Sequence, residues 1–179
     1  MLSSGRFSNP LDIGSGNGIL WQVGINNAVG IDIREGRAVT VLATAESLPF
    51  LNDAFDLVFA GEVLEHLYHP RKALKEWARV LKPRGAMVLS TPNGILVSAI
   101  GGNPEHKAIY APEDVIGTLR KLGLELVESK GIFTGLVPGN RLFRFIPFGW
   151  VKTFLFRIPV PLFLSYNFVL MARKEGHAA

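Results

Sequence analysis

Pro10-Leu-Asp-Ile-Gly-Ser-Gly-Asn-Gly18, followed by Ala28-Val-Gly-Ile-Asp-Ile33, decides how this chain folds. Pro10 to Ile13 reads as a short strand running into a turn with glycine at 14, 16 and 18. Glycines there let the backbone approach a ligand closely and leave helix N–H groups free. Asp32 follows at the end of the next strand, where a carboxylate can accept from both hydroxyls of a ribose. Such a turn is commonplace by itself. The series strand, glycine loop, helix, strand and acid points to a nucleoside.

The remaining apolar runs alternate in kind. Ala38–Ala43, Phe55–Ala60, Ala86–Ser90, Leu124–Glu128 and Asn167–Ala172 read as strands, seven with the first two. Ile19–Asn27 has room for two helical turns at most. Pro70–Leu81 spaces Ala73, Leu74, Trp77, Ala78 and Leu81 as a helix does, with Pro70 in its first turn and Pro83-Arg-Gly85 as its stop. Pro112–Leu122 is a helix ending at Gly123. Strands alternating with helices imply an α/β fold with a mostly parallel sheet, which binds ligands at the carboxyl ends of its strands.

With 179 residues, 48% of them apolar and 19% charged, the chain suits one globular domain, 1–179. The absence of cysteine excludes disulfides, thiolate metal sites and a cysteine nucleophile, and fits a cytoplasmic setting. No apolar core follows Met1, so no secretory signal is expected there. Ile158–Ala172 is free of charge but holds Pro159 and Pro161, and is too short to span a bilayer. Charge is uneven: residues 1–128 carry 12 bases and 14 acids, whereas 129–174 carry seven bases and no acid. That asymmetry hints at an anionic partner for the last third.

Which nucleoside the loop takes follows from its spacing. A dinucleotide loop runs G-x-G-x-x-G, and Ile19 stands where its third glycine would be. The spacing here is G-x-G-x-G, with Asp12 two residues upstream. A carboxylate at that point suits an ammonium and would repel a pyrophosphate. S-adenosylmethionine has the ammonium and no phosphate.

At this point the sequence resembles the class I S-adenosylmethionine-dependent methyltransferases over about residues 10–130. Six motifs carry the likeness in the family's order: Leu11–Gly18, Gly30–Ile33, Ala45-Glu-Ser-Leu-Pro-Phe50, Phe55–Val58, Val63-Leu-Glu-His-Leu67 and Arg79-Val-Leu-Lys-Pro-Arg-Gly85. The resemblance implies a Rossmann-like seven-stranded sheet with an antiparallel last strand and helices on both faces. It also implies S-adenosylmethionine as cofactor and S-adenosylhomocysteine as product. By it, Asp12, Gly14, Ser15, Gly16 and Gly18 hold the methionine end and Asp32 the ribose. Ile33 packs on the adenine, Thr44, Ala45 and Glu46 lie along its edge, and Glu62 lines the floor near the methionine moiety. Departures are plain as well. Thr44 stands where an Asp is usual, Arg84 replaces a glycine, and Ile33–Arg37 is too short for the customary helix after the second strand. One or more helices are thus shortened or missing, which leaves one side of the sheet for a homodimer to cover.

Methyl transfer from a sulfonium is an in-line displacement accelerated mainly by placement, though an oxygen or nitrogen acceptor calls for a base. Four histidines exist. His106, between the fifth strand and the next helix, is the catalytic candidate, with Tyr110 as a second acceptor contact. His66 reads as a packed residue holding its loop; His69 and His177 read as structural or solvated. No metal site is expected, because the family motif accounts for Glu62 to His69. No nucleic acid is expected either: Ala60-Gly-Glu-Val63 stands where base-modifying relatives carry Asn/Asp-Pro-Pro-aromatic.

Eight of the twelve Phe fall within 132–171, interleaved with Arg141, Arg144, Lys152 and Arg157. Three readings stand for this aromatic and basic insertion, bounded as 132–165 before the last strand. It packs on the core, it meets an anionic membrane surface or a lipid-like acceptor, or it forms a dimer interface. The expected activity is methyl transfer to a small molecule, a lipid, quinone or sugar precursor. The alternative is a methyltransferase-like binding module without turnover.

Overall fold

The computed structural model describes residues 7–95, 106–132, 162, 165 and 167–176. Elements run β1 (Pro10–Ile13), α1 (Ile19–Gln22), β2 (Val29–Asp32), β3 (Val41–Leu42), β4 (Phe55–Gly61), a 3-10 turn (Leu64–His66), α2 (Pro70–Val80), β5 (Leu81–Pro92), α3 (Pro112–Lys121), β6 (Leu124–Ile132) and β7 (Asn167–Lys174). They build one seven-stranded sheet in the order β3-β2-β1-β4-β5-β7-β6. Neighbours from β3 to β5 are parallel, and β7 runs antiparallel to both β5 and β6. This is the expected doubly wound sheet with its reversed last strand. Most of the aromatic insertion, residues 133–161, lies outside the described residues. Among the described residues, no helix is long and apolar enough to cross a membrane.

Period-two alternation sorts the side chains onto two faces. Val58 and Ala60 of β4, Met87 and Leu89 of β5, and Phe168, Leu170 and Ala172 of β7 join the larger core. There they meet Leu74, Trp77 and Val80 of α2 and Val115 and Leu119 of α3. Leu57, Ala86 and Val88 face the other way, onto Leu20 of α1, Ile25 and Ala28. Among the described residues, helices therefore cover both faces, the second with a single turn of helix. Phe59, Val169 and Met171 are only partly buried there.

Three elements differ most from the sequence reading; one is β6, which runs on to Ile132 rather than stopping at Glu128. β5 begins at Leu81, directly after α2, rather than at Ala86. Phe55 pairs with Leu81 and Leu57 with Ala86, so Lys82–Gly85 loops out as a bulge, with Arg84 at φ +64°. β3 shrinks to two residues because the preceding chain is held against the glycine loop.

That hold replaces the missing helix after β2. The Ala38 N–H donates to the Gly16 carbonyl at 3.0 Å, and the Ser15 hydroxyl donates to the Ala38 carbonyl at 3.3 Å. Thr40 donates its N–H and its hydroxyl to the Gly30 carbonyl, at 2.8 and 3.0 Å. This approach requires glycine at 30: a Cβ there would sit 1.9 Å from the Ala38 oxygen and 2.6 Å from the Ser15 Oγ. A backbone carbonyl cannot swing aside as a side chain can. Gly30→Ala is therefore expected to cost at least 1–3 kcal/mol, the range of core overpacking, read from urea unfolding. An unchanged midpoint would remove the close approach as a constraint.

Candidate cofactor site

The carboxyl ends of β1, β2 and β4 open onto two adjoining hollows. A cavity of about 500 Å³ is walled by Gly14, Asp32, Ile33, Thr44, Ala45, Glu46 and Glu62, together with Val63, His66, Leu67, Tyr68 and Lys72. A smaller hollow of about 180 Å³ is walled by Asp12, Gly14, Ser15, Gly16, Gly18 and Ile19. Gly14 and Gly61 border both. All eleven expected cofactor residues thus line one hollow or the other.

Local bonding explains each placement. Gly14, Gly16 and Gly18 have φ of +69°, +41° and +84°, so the loop turns back beneath β2. Asp32 accepts the Gly16 N–H at 3.3 Å and the Arg34 N–H at 3.2 Å, which aims its carboxylate between loop and cavity. Ile33, 68% exposed, forms an open apolar lip. The segment 45–50 is moulded on α2. Trp77 Nε1 donates to the Ala45 carbonyl at 2.9 Å, and Arg79 donates to the Leu48 and Phe50 carbonyls. Glu76 accepts the Leu48 N–H while paired with Arg79 at 2.8 Å. Glu46 accepts the His69 N–H at 3.0 Å.

Acids concentrate here. Asp12 is 3% exposed, and burial pushes its carboxyl up to about 6, against the pull of the Leu20 N–H. Glu62 sits at φ +54°, a left-handed conformation rare for a residue with a Cβ. It is held there by the Ser90 hydroxyl at 2.6 Å, by Asn167 Nδ2 at 2.9 Å and through its own N–H to the Ser90 carbonyl. Burial raises its pKa, and those two side-chain bonds work against the rise. Glu65, 1% exposed, is pushed up to about 7, chiefly by burial and further by Glu62.

The histidines divide otherwise than expected. His66, read as a packed loop residue, lines the larger cavity. His106 lies behind it, ring edge to ring face, with centroids 5.3 Å apart. Sequence reasoning missed Glu65 as a buried acid and Asn167 as the partner of Glu62. Glu65 had a local signal, an acid three residues after Glu62 in an apolar turn. Asn167 had none, since 105 residues separate the pair.

The raised acids fix a pH dependence of stability. Asp12 and Glu65 hold protons to about 6 and 7 in the fold, whereas unfolded carboxyls release them near 4. The folded chain then binds more protons between about pH 4 and 7, so stability falls as pH rises through that window. Glu76, held low by its bond to Arg79, acts in the opposite sense and at lower pH. Glu65→Gln is expected to raise the urea midpoint at pH 8, by order 1–3 kcal/mol, and to leave pH 5 nearly unchanged. A loss of stability at pH 8 would contradict the assignment.

A family model described as "Methyltransferase domain" matches residues 11–89. The chain is 30% identical over 103 residues to a ubiquinone biosynthesis O-methyltransferase of Cereibacter sphaeroides. That match covers 50% of this chain and 42% of the relative, so the chain spans under half of that protein's length. The fold is shared with a Methanosarcina mazei S-adenosylmethionine-dependent methyltransferase, at TM-score 0.64 and 16% identity over 99% of this chain and 95% of the other. It is shared too with the Burkholderia thailandensis 1,6-didemethyltoxoflavin-N1-methyltransferase, solved with S-adenosylhomocysteine bound, at TM-score 0.62 and 17% identity over 96% and 72%. The sheet order, the six motifs in sequence and the methyltransferase-domain match over residues 11–89 agree, and the chain is similar in fold and motifs to the class I S-adenosylmethionine-dependent methyltransferases.

Proposed function

We propose that this chain binds S-adenosylmethionine across the two hollows and transfers its methyl group to a small-molecule acceptor. The convergence of all eleven expected residues on adjoining cavities is the observation that carries the reading. The chemistry of the walls fits the cofactor. The smaller hollow has a buried acid, Asp12, in need of a cation. The larger has an apolar lip at Ile33 and a carboxylate, Asp32, aimed for a ribose. Its Gly14 edge leaves no room for a side chain, since a Cβ there would sit 2.5 Å from Val63 Cγ2. When bound, the cofactor supplies an electrophilic methyl on a positively charged sulfur. The chain's residues hold and orient it: Asp12 pairs with the ammonium, Asp32 with the ribose, Ile33 and Ala45 with the adenine. Thr44 replaces the usual acid with a hydroxyl, a weaker partner for the adenine amino group. Glu62 would present a carboxylate to the methionine end of the cofactor from the cavity wall.

For the acceptor, similarity to a ubiquinone biosynthesis O-methyltransferase favours an oxygen nucleophile on a small quinone or lipid precursor. His106, on the segment entering α3, meets the cavity-lining His66 edge to face and takes the acceptor's proton by way of it in this reading. The basic, aromatic stretch 132–171 would meet a lipid-like acceptor or the membrane carrying it.

Calorimetric titration with S-adenosylhomocysteine tests the site. Micromolar binding is expected in the wild type and loss of it in Asp32→Ala. If binding needs the ionised form of Asp12, affinity at pH 5 should be about tenfold weaker than at pH 7.5, and Asp12→Asn should flatten that dependence. Absence of binding to folded protein sinks the reading. Binding without transfer to a panel of hydroxylated acceptors favours the module without turnover. His106→Ala should lower turnover by ~100-fold or more and leave cofactor affinity intact; unchanged turnover removes His106 as the base.

A further inference from the structure

At the cavity wall lies a polar cluster, reaching from the exposed His66 to the buried Glu65, that cofactor binding does not use. Glu65, on the 3-10 turn, accepts the Thr91 hydroxyl of β5 at 2.9 Å. Its main-chain carbonyl accepts the Lys107 N–H at 2.7 Å and the Ala108 N–H at 3.3 Å. Those two bonds tie the segment before α3 to the cavity wall. One donor atom from each of Glu65, His66 and His106 falls within 4.8 Å of the others. The two imidazoles meet edge to face, and His66 reaches the cavity. Glu62 at the end of β4 and Tyr110 on the segment before α3 are the other titratable groups bearing on Glu65.

A glutamine at 65 would keep the Thr91 bond and avoid a buried carboxyl beside Glu62. Holding the segment is the work of a backbone carbonyl, which any residue supplies. Neither structural task needs an ionisable side chain, so its presence beside two imidazoles calls for another account. Transfer of a methyl to an O–H acceptor leaves one proton to be placed. The acceptor's O–H bond breaks, its oxygen bonds the methyl carbon, and the S–CH₃ electron pair goes to sulfur. A neutral thioether does not keep the proton.

We propose that Glu65, His66 and His106 form one proton-accepting cluster, in which a histidine takes the acceptor's proton and the buried Glu65 is the positioning residue beside the two rings. The role in turnover rests on the methyl-transfer reading; the existence of the cluster does not. Burial and Glu62 favour the protonated carboxyl, which suits proton exchange better than holding a cation.

The experiment is a carboxyl ¹³C titration of the full chain from pH 4 to 9 with labelled glutamate, Glu65 being assigned through Glu65→Gln. Replacing His66 or His106 by asparagine should move the Glu65 midpoint by half a unit or more and leave the exposed Glu113 unmoved. An unmoved Glu65 midpoint in both variants overturns the cluster. So does a single equivalent of ZnCl₂ that perturbs Glu65 and both imidazoles together, since the group would then be a metal site. If S-adenosylhomocysteine does not bind, the methyl-transfer reading fails while the titration still decides the cluster. Where the wild type methylates an acceptor, Glu65→Gln should lower kcat about tenfold or more and shift its pH profile. The cofactor KM should be unchanged and Glu65→Asp should recover part of the rate. Unaltered kcat and profile would falsify the catalytic role.

Discussion

The contact between the glycine loop and residues 36–40 is the constraint on which the rest of the site depends. In a doubly wound sheet, β2 and β3 are normally joined by a helix that fixes both strands and the floor beneath the ligand. Here eight residues separate Asp32 from Val41, too few for that. The link closes instead by hydrogen bonds from Ala38 to Gly16 and from Ser15 to Ala38, which also pin the turn that carries Gly14 and Gly16. A loop so braced keeps its shape without a covering helix. Gly30 makes the brace possible because a backbone oxygen occupies the space of its absent Cβ.

A second dependence runs from α2. Trp77, Glu76 and Arg79 lie within one turn of one another, so a single helix face presents an indole N–H, a carboxylate and a guanidinium to the same stretch. The backbone from Ala45 to Phe50 has no regular structure of its own beyond an isolated bridge from Thr44 to Ser47, and it takes its path from these three side chains. The motif around Arg79 and the motif at 45–50 are thus two halves of one interaction. Its large apolar member, Trp77, is fully buried, so the cavity-lining residues Thr44, Ala45 and Glu46 inherit the rigidity of the main core.

Much of this was legible in the sequence. The central strands β1, β2 and β4 are buried on both faces, so they read as apolar runs, and α2 and α3 show helical spacing between a proline and a stop. The glycine loop and Asp32 were legible because a ligand-facing backbone restricts residue choice. What stayed hidden depends on chain folding back from afar. The bulge at Lys82–Gly85 looks like a turn because a left-handed residue and a glycine serve either. The short β3 follows from the brace, for which a glycine inside a strand at position 30 was the one local sign. The bridge from Asn167 to Glu62 forms only when β7 inserts beside β5. His66 and His106 look unrelated in the sequence, since nothing local says that the segment before α3 doubles back onto the turn after β4.

Three acids lie along the carboxyl edge of β1 and β4, Asp12 and Glu65 buried and Glu62 half-buried. The lysine and arginine pairs among the described residues go elsewhere, to Glu76, Glu128 and Asp53. Each buried acid opposes folding in its charged form, and amides would satisfy the hydroxyls and N–H groups around Glu62 and Glu65. Destabilisation confined to one edge of an otherwise apolar core marks the groups whose charge matters more for chemistry than for stability. Among the described residues no cation pairs with Asp12, and a ligand's ammonium would supply one, so binding would convert its desolvation from a penalty into an attraction. Glu65 faces imidazoles, whose charge changes with each proton moved. The same burial thus serves two ends: it makes one carboxyl avid for a cation and leaves the other able to exchange a proton near neutral pH.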